Sequence, residues 1–274
     1  MANENIVIGL IIGIIAYICL DIGKGIQKYA IEGFKEENSI KKKNSGIWVV
    51  GTILTSLYMF IQWAALFFAP INIVAPLEGV GLIILLLFSY YILKEHITPI
   101  EISGVFFIII GTVLVTLFNI NVGSLNMSNF NLLFFLCFSI IILVIESIFI
   151  FISKLNDYKF VGIIIALTAG TTNALQTVSK RITTIPEMTL YFTLATFIFA
   201  PSTLLITQYA FTKAKANQVV PCFTSTSIIL ASLMSVLTLN GSISWIQVIG
   251  IIVIVIGIIL ISAFQKESNN EKLN

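Results

Sequence analysis

Glu78, Asn72 and Pro76 stand inside an otherwise apolar run, Gln62 to Glu95, QWAALFFAPINIVAPLEGVGLIILLLFSYYILKE. In hydrocarbon a carboxylate costs about 2.5–3.5 kcal/mol on insertion scales, so it must face other helices and find a partner there. Such an acid can bind a cation or carry a proton, which makes Glu78 the first substrate-binding residue and the one candidate metal ligand. Asn72, Gln62 and Trp63 are placed beside it as substrate-binding candidates. Asp21 and Lys24 lie three apart in LDIGKGIQKYA, with Lys28 four further on, so all three share one helical face. They are coupling or ion-pair candidates; a second reading has both lysines reaching toward interfacial water with Asp21 as counter-charge. Glu146, in LVIESIFIF, is a second acid of the same kind, with no basic residue within helical reach. The segment ALTAGTTNALQTVSK gathers Thr171, Asn173, Gln176 and Lys180, a side able to coordinate or hydrogen-bond, and Thr224 follows Pro221 in NQVVPCFTSTS. Asn173, Gln176 and Thr224 complete the substrate-binding set, while Pro76 and Pro221 are expected to break their helices.

The elements that position these residues follow from composition. With 58% hydrophobic residues, 10% charged and a mean hydropathy of +1.03, the chain is not a soluble domain, whose charged fraction is usually about 25%. Runs near the roughly 20 residues that span a bilayer recur throughout. They predict nine transmembrane helices at 5–28, 46–68, 71–93, 98–119, 131–153, 160–180, 188–208, 217–238 and 243–264. No run alternates apolar and polar residues as a transmembrane β-strand would. The first run continues into Asp21 and Lys24 without a small-residue cleavage site, so it is expected to be a retained helix. Cys19, Cys137 and Cys222 form no CxxC pair. There is no HExxH, no glycine-rich phosphate loop, and His96 is the sole histidine, so an enzyme is not expected and no cofactor is implied. A net charge of +2 gives no reason to expect a nucleic-acid partner.

Two halves share a lettering. Ala65, Ala69, Asn72, Val74 and Pro76 recur as Ala210, Ala214, Asn217, Val219 and Pro221, each pair 145 apart (69 to 214, for example), and Gly104 and Gly111 recur as Gly250 and Gly257. Helices one to four (about 5–119) and six to nine (about 160–264) then form two repeats, with helix five (about 131–153) as spacer and 265–274 as tail. An odd interval inverts the second repeat, the architecture of alternating-access carriers. An ancestral duplication serving only as a scaffold is the plainer alternative. Glu78 has no counterpart acid, because position 223 is Phe. Lysines 28, 35, 41–43, 94, 154, 159, 213, 215, 266 and 272 fall on one side of this layout and only Lys180 and Arg181 on the other. The positive-inside rule puts the N-terminus outside and the C-terminus in the cytoplasm of a multi-pass protein of the plasma membrane.

The pattern resembles the drug/metabolite transporter superfamily, and within it the NIPA-type magnesium transporters. The resemblance is carried by FAP-x-x-x-V-x-PL (Phe68, Ala69, Pro70, Val74, Pro76, Leu77), a helix ending in Leu93-x-Glu95, and Gly104 and Gly111 seven apart. Later stretches look alike through Lys180, Ala214, Val220, Pro221 and the helix from Gly250 to Phe264. Where that family has Gly-Glu and Asn-Phe in helix two, this chain reads Tyr58-Met59 and Gln62-Trp63; where it has PLGA, this chain reads PLEG, so Glu78 is particular to it. The resemblance implies a secondary transporter in the lipid bilayer with magnesium or another divalent cation as substrate. Export or exchange of a small organic solute is the alternative, and self-association is left open.

Overall fold

The computed structural model describes residues 2–35, 41–69, 74, 77–95, 97–117, 130–155, 160–239 and 244–263. Among them there is no strand, and there are nine α-helices: α1 Ala2–Lys35, α2 Lys41–Phe68, α3 Glu78–Tyr91, α4 Pro99–Leu117, α5 Leu132–Leu155, α6 Val161–Ile182, α7 Thr189–Lys213, α8 Ala216–Leu239 and α9 Trp245–Ala263. Six of the described helices, α1, α2 and α5 to α8, are long and apolar enough to cross a membrane, while α3, α4 and α9 contribute shorter apolar stretches. The chain is therefore a helical protein of polytopic membrane type.

Each apolar run became a helix, and the ends differ in informative ways. Helix α1 continues past the expected end at residue 28 to Lys35, and α2 begins at Lys41, ahead of the expected start at 46. Helix α3 starts at Glu78 itself, which puts the carboxylate in the first turn and not some seven residues deep. A negative charge is favoured there by the aligned peptide dipoles. Asn72 and Pro76, expected to form part of this helix, lie outside the described residues, as does His96. Pro221 does not break its helix: α8 runs through it from Ala216 to Leu239.

Helix α6 is the axis of the molecule. Of its apolar span 89% is buried, against 11% for α5, which leaves Leu133, Ile140 and Phe151 facing outward as a lipid-facing helix must. Around α6 pack α7 and α8; α1 pairs with α2, α4 with α9, and α3 bridges α1 and α8.

Small residues set these distances, since lipid offers no hydrophobic drive for helices to associate. A Cβ on Gly111 would stand 2.6 Å from the Gly250 carbonyl oxygen, and one on Gly257 would stand 2.6 Å from that of Gly104. Ile254 packs over Gly111 as Ile108 packs over Gly257, so the α4–α9 contact is reciprocal. The pairing recurs elsewhere: Gly9 of α1 meets Ala69 after α2, and Gly162 of α6 meets Ala214 after α7.

Gly257→Val is expected to overpack the α4–α9 contact, costing about 1–3 kcal/mol and lowering the unfolding midpoint in detergent. Gly46, in α2 with nothing within 4 Å of its Cβ position, supplies the control; Gly46→Ala should be neutral or stabilising by about 0.5–1 kcal/mol.

Candidate functional site

Tyr17, Asp21, Lys24 and Lys28 recur along α1 at helical spacing and all turn inward, exposed by 1%, 0%, 2% and 3%. This removes the reading in which the lysines reach toward water. Lys28 donates to the carbonyls of Phe211 and Ala214 at 3.0 and 2.9 Å, holding the C-terminal end of α7 and pairing with Glu32 at 3.2 Å. A cation suits unpaired helix-end carbonyls.

One turn closer to the centre, the Lys24 ammonium stands 3.5 Å from Asp21 Oδ1 and 3.7 Å from the centroid of the Phe223 ring on α8. The Asp21 carboxylate is pressed against α3: a Cβ on Gly81 would overlap its Oδ2. Glu78 precedes Gly81 by three residues on the same helix face, so the two acids converge across the α1–α3 contact. The charges of Lys24, Asp21 and Lys180 act on Glu78, and the Thr224 hydroxyl lies beside it. Asp21, Glu78 and Thr224 are 0%, 2% and 0% exposed. Both Asp21 oxygens, Glu78 Oε1, Thr224 Oγ1 and the Lys24 ammonium have no hydrogen-bond partner among the described residues. Buried polar atoms ordinarily have one, so these oxygens make the meeting of α1, α3 and α8 the candidate ligand site.

A second cluster adjoins the first. Lys180 of α6 donates to Gln62 Oε1 at 2.7 Å, Gln62 Nε2 donates to the Tyr17 hydroxyl at 2.9 Å, and Tyr17 stacks obliquely on Tyr58 at 5.4 Å. Asn173 donates to Ser227 of α8 at 2.8 Å. Between the clusters and the α2–α7 side lies a cavity of about 300 Å³. Lys24, Tyr58, Asn173, Gln176 and Phe223 line its inner part, while Phe60, Phe197 and Pro201 form its mouth. Phe60 and Phe197 face outward, so the mouth opens toward lipid.

The residues singled out by sequence therefore divide. Asp21, Lys24, Glu78 and Thr224 come together, and Asn173 and Gln176 line the cavity next to them. Gln62 is engaged with Lys180 and Tyr17. Trp63 lies on the α2–α7 side, edge-on to Phe197 at 6.4 Å. Glu146 is apart from both clusters, accepting a short hydrogen bond from Thr171 across α5 and α6. Sequence reasoning placed Lys180 on one polar side with Asn173 and Gln176, at spacings of seven and four, but gave it no site role; it missed Tyr17, one turn before Asp21. Glu95, part of the family pattern, is buried and accepts the amides of Ala216 and Asn217 at 3.0 and 3.2 Å, capping α8. The left-handed backbone of Lys94, φ 52°, redirects the chain just before it. Burial pushes the Glu95 carboxyl above the usual carboxylate range, and the two amides oppose that shift.

A profile of the family described as "Magnesium transporter NIPA" matches residues 4–207. Among curated proteins the chain is similar to "NIPA-like protein 2" of Mus musculus, 24% identical over 237 residues, which is 83% of this chain and 62% of that protein. The chain thus spans less than two thirds of that relative's length. No solved structure matches it.

Gln62→Leu should leave Lys180 buried without its acceptor, at a cost of about 1.5–3 kcal/mol. Thermal unfolding of the single variant and of the double variant Gln62→Leu/Lys180→Met checks this. The double variant should recover much of the loss, because removing both polar partners leaves no orphaned charge.

Proposed function

The chain belongs to the NIPA magnesium transporter family, and from that membership we propose that it is a multi-pass transporter whose substrate is a divalent cation, magnesium first. The observation that carries the proposal is the convergence of the buried carboxylates of Asp21 and Glu78, with Thr224 beside them and Lys24 as their nearest cation. Magnesium binds proteins through one or two carboxylates while keeping several waters, so two acids and a hydroxyl suit it without a closed protein cage. Glu78 is the residue that binds cargo from α3 and Asp21 its partner from α1; Asn173 and Gln176, which line the cavity next to the pair, are further oxygen donors to it. Asn72 is proposed to add an oxygen from the segment before α3.

The same reading makes all nine helices membrane-crossing and the two groups of four an inverted pair flanking α5. Support comes from the reciprocal α4–α9 contact and from the matching Gly9–Ala69 and Gly162–Ala214 contacts, the pattern that two copies related by a pseudo-two-fold axis produce. The side bearing most lysines is proposed to be cytoplasmic, with the protein in the plasma membrane. One observation favours a second substrate class: the cavity of about 300 Å³ lies at the small end of organic-ligand pockets, and its aromatic mouth suits a small amphiphilic solute.

In proteoliposomes holding a magnesium-sensitive dye, the protein should give saturable uptake. Glu78→Gln and Asp21→Asn should each lower it by at least about tenfold, the effect of losing one of two charged ligands, while Glu146→Gln, remote from the pair, should retain it. Retained uptake in Glu78→Gln would sink the carboxylate site. Absence of uptake by monodisperse, folded protein would move the assignment to the organic solute.

A further inference from the structure

A carrier that delivers net cargo must return empty, and the empty state is where this site is most exposed to electrostatic cost. Two ionised carboxylates in a low-dielectric interior are expensive unless a positive charge accompanies them. Three buried lysines surround the candidate site, and they are held differently. Lys28 is anchored by two carbonyls and Lys180 by Gln62. Lys24 makes no hydrogen bond among the described residues. It is held by charge to Asp21 at 3.5 Å and by the Phe223 ring face at 3.7 Å, contacts that constrain direction weakly. Lys24, like Asp21 and Lys180, lies close enough to Glu78 for its charge to act on it. The least anchored cation is thus the one placed with the two acids.

Resting on the cation reading above, we propose that Lys24 is a tethered counter-ion: its ammonium accompanies the Asp21–Glu78 pair in the unloaded carrier and yields that place to the incoming cation. Lys24 would then be a positioning residue for the return step and not a ligand of the cargo. The ammonium swings on its own four-carbon stem, so no bond is made or broken and no second solute is required. With Lys24 present, the empty carrier carries a partner for its acids across the conformational change. Without it, and with Lys180 held by Gln62, cargo is the mobile cation left to accompany the acids, and transport shifts toward cargo-for-cargo exchange.

The full-length protein in proteoliposomes tests this with isotopically enriched magnesium in two assays. One follows net uptake into magnesium-free vesicles; the other follows exchange into vesicles preloaded with natural magnesium. In Lys24→Met, net uptake should fall by at least about tenfold while exchange stays within about threefold of the parent. Lys24→Arg, which keeps the charge, should restore net uptake relative to Lys24→Met. A structural role for Lys24 would lower both assays together, and that parallel loss overturns the proposal; so does unchanged net uptake in Lys24→Met. Should Lys24→Met fail to fold, the parent protein decides: net uptake without internal magnesium supports the proposal, and exchange without net uptake overturns it. No movement of magnesium in either assay by the folded parent overturns the cation reading itself, and the inference falls with it.

Discussion

Charge balance in a dry interior is the constraint on which the rest of this structure depends. Asp21, Lys24, Glu78 and Lys180 are all at most 2% exposed, two of each sign, on three different helices. None can be left alone in such a medium, because an unpaired buried charge costs several kcal/mol where its hydration is lost. Helices α1 and α3 therefore pack against each other, α8 closes the group through Phe223 and Thr224, and α6 reaches it through Lys180. The cost is not removed by this arrangement. It is concentrated in one place, which is where a carrier can use it.

Close approach makes the arrangement geometrically feasible. Gly81 lets the Asp21 carboxylate lie against the backbone of α3, and Gly25 leaves room for the Phe88 ring one turn farther along α1. Gly23 and Gly51 bring α1 and α2 so close that a Cβ on either would stand within 2.9 Å of the other's carbonyl oxygen. With side-chain bulk absent at these crossings, polar groups on neighbouring helices come within reach of each other. Where bulk returns, as with Phe223, it covers a cation.

Helix positions were legible in the sequence because a bilayer-spanning run is a property of composition over some twenty residues, and the nine expected runs each overlap one of the nine described helices. Helix ends were less so. The extension of α1 to Lys35 and the start of α3 at Glu78 depend on tertiary packing, which periodicity does not report. Within the site, the proximity of Asp21 and Lys24 could be read from their spacing, and the need of Glu78 for a partner from its surroundings. Which partner could not be read: Lys180 and Gln62 are 118 residues apart, and Glu95 finds its amides 121 and 122 residues away. Lys180 was weighed as a charge that orients the chain, when its burial at 1% makes it part of the core.

The cavity mouth at Phe60, Phe197 and Pro201 bears on pharmacology. A hydrophobic compound would arrive at this opening from the acyl-chain region and not from bulk water. The concentration that governs occupancy there is the concentration dissolved in lipid, which for an apolar molecule exceeds the aqueous one by its partition coefficient. Potency against this protein would then be a product of two quantities, solubility in the surrounding leaflet and fit to the opening. Ranking compounds by aqueous dose alone would confuse one with the other.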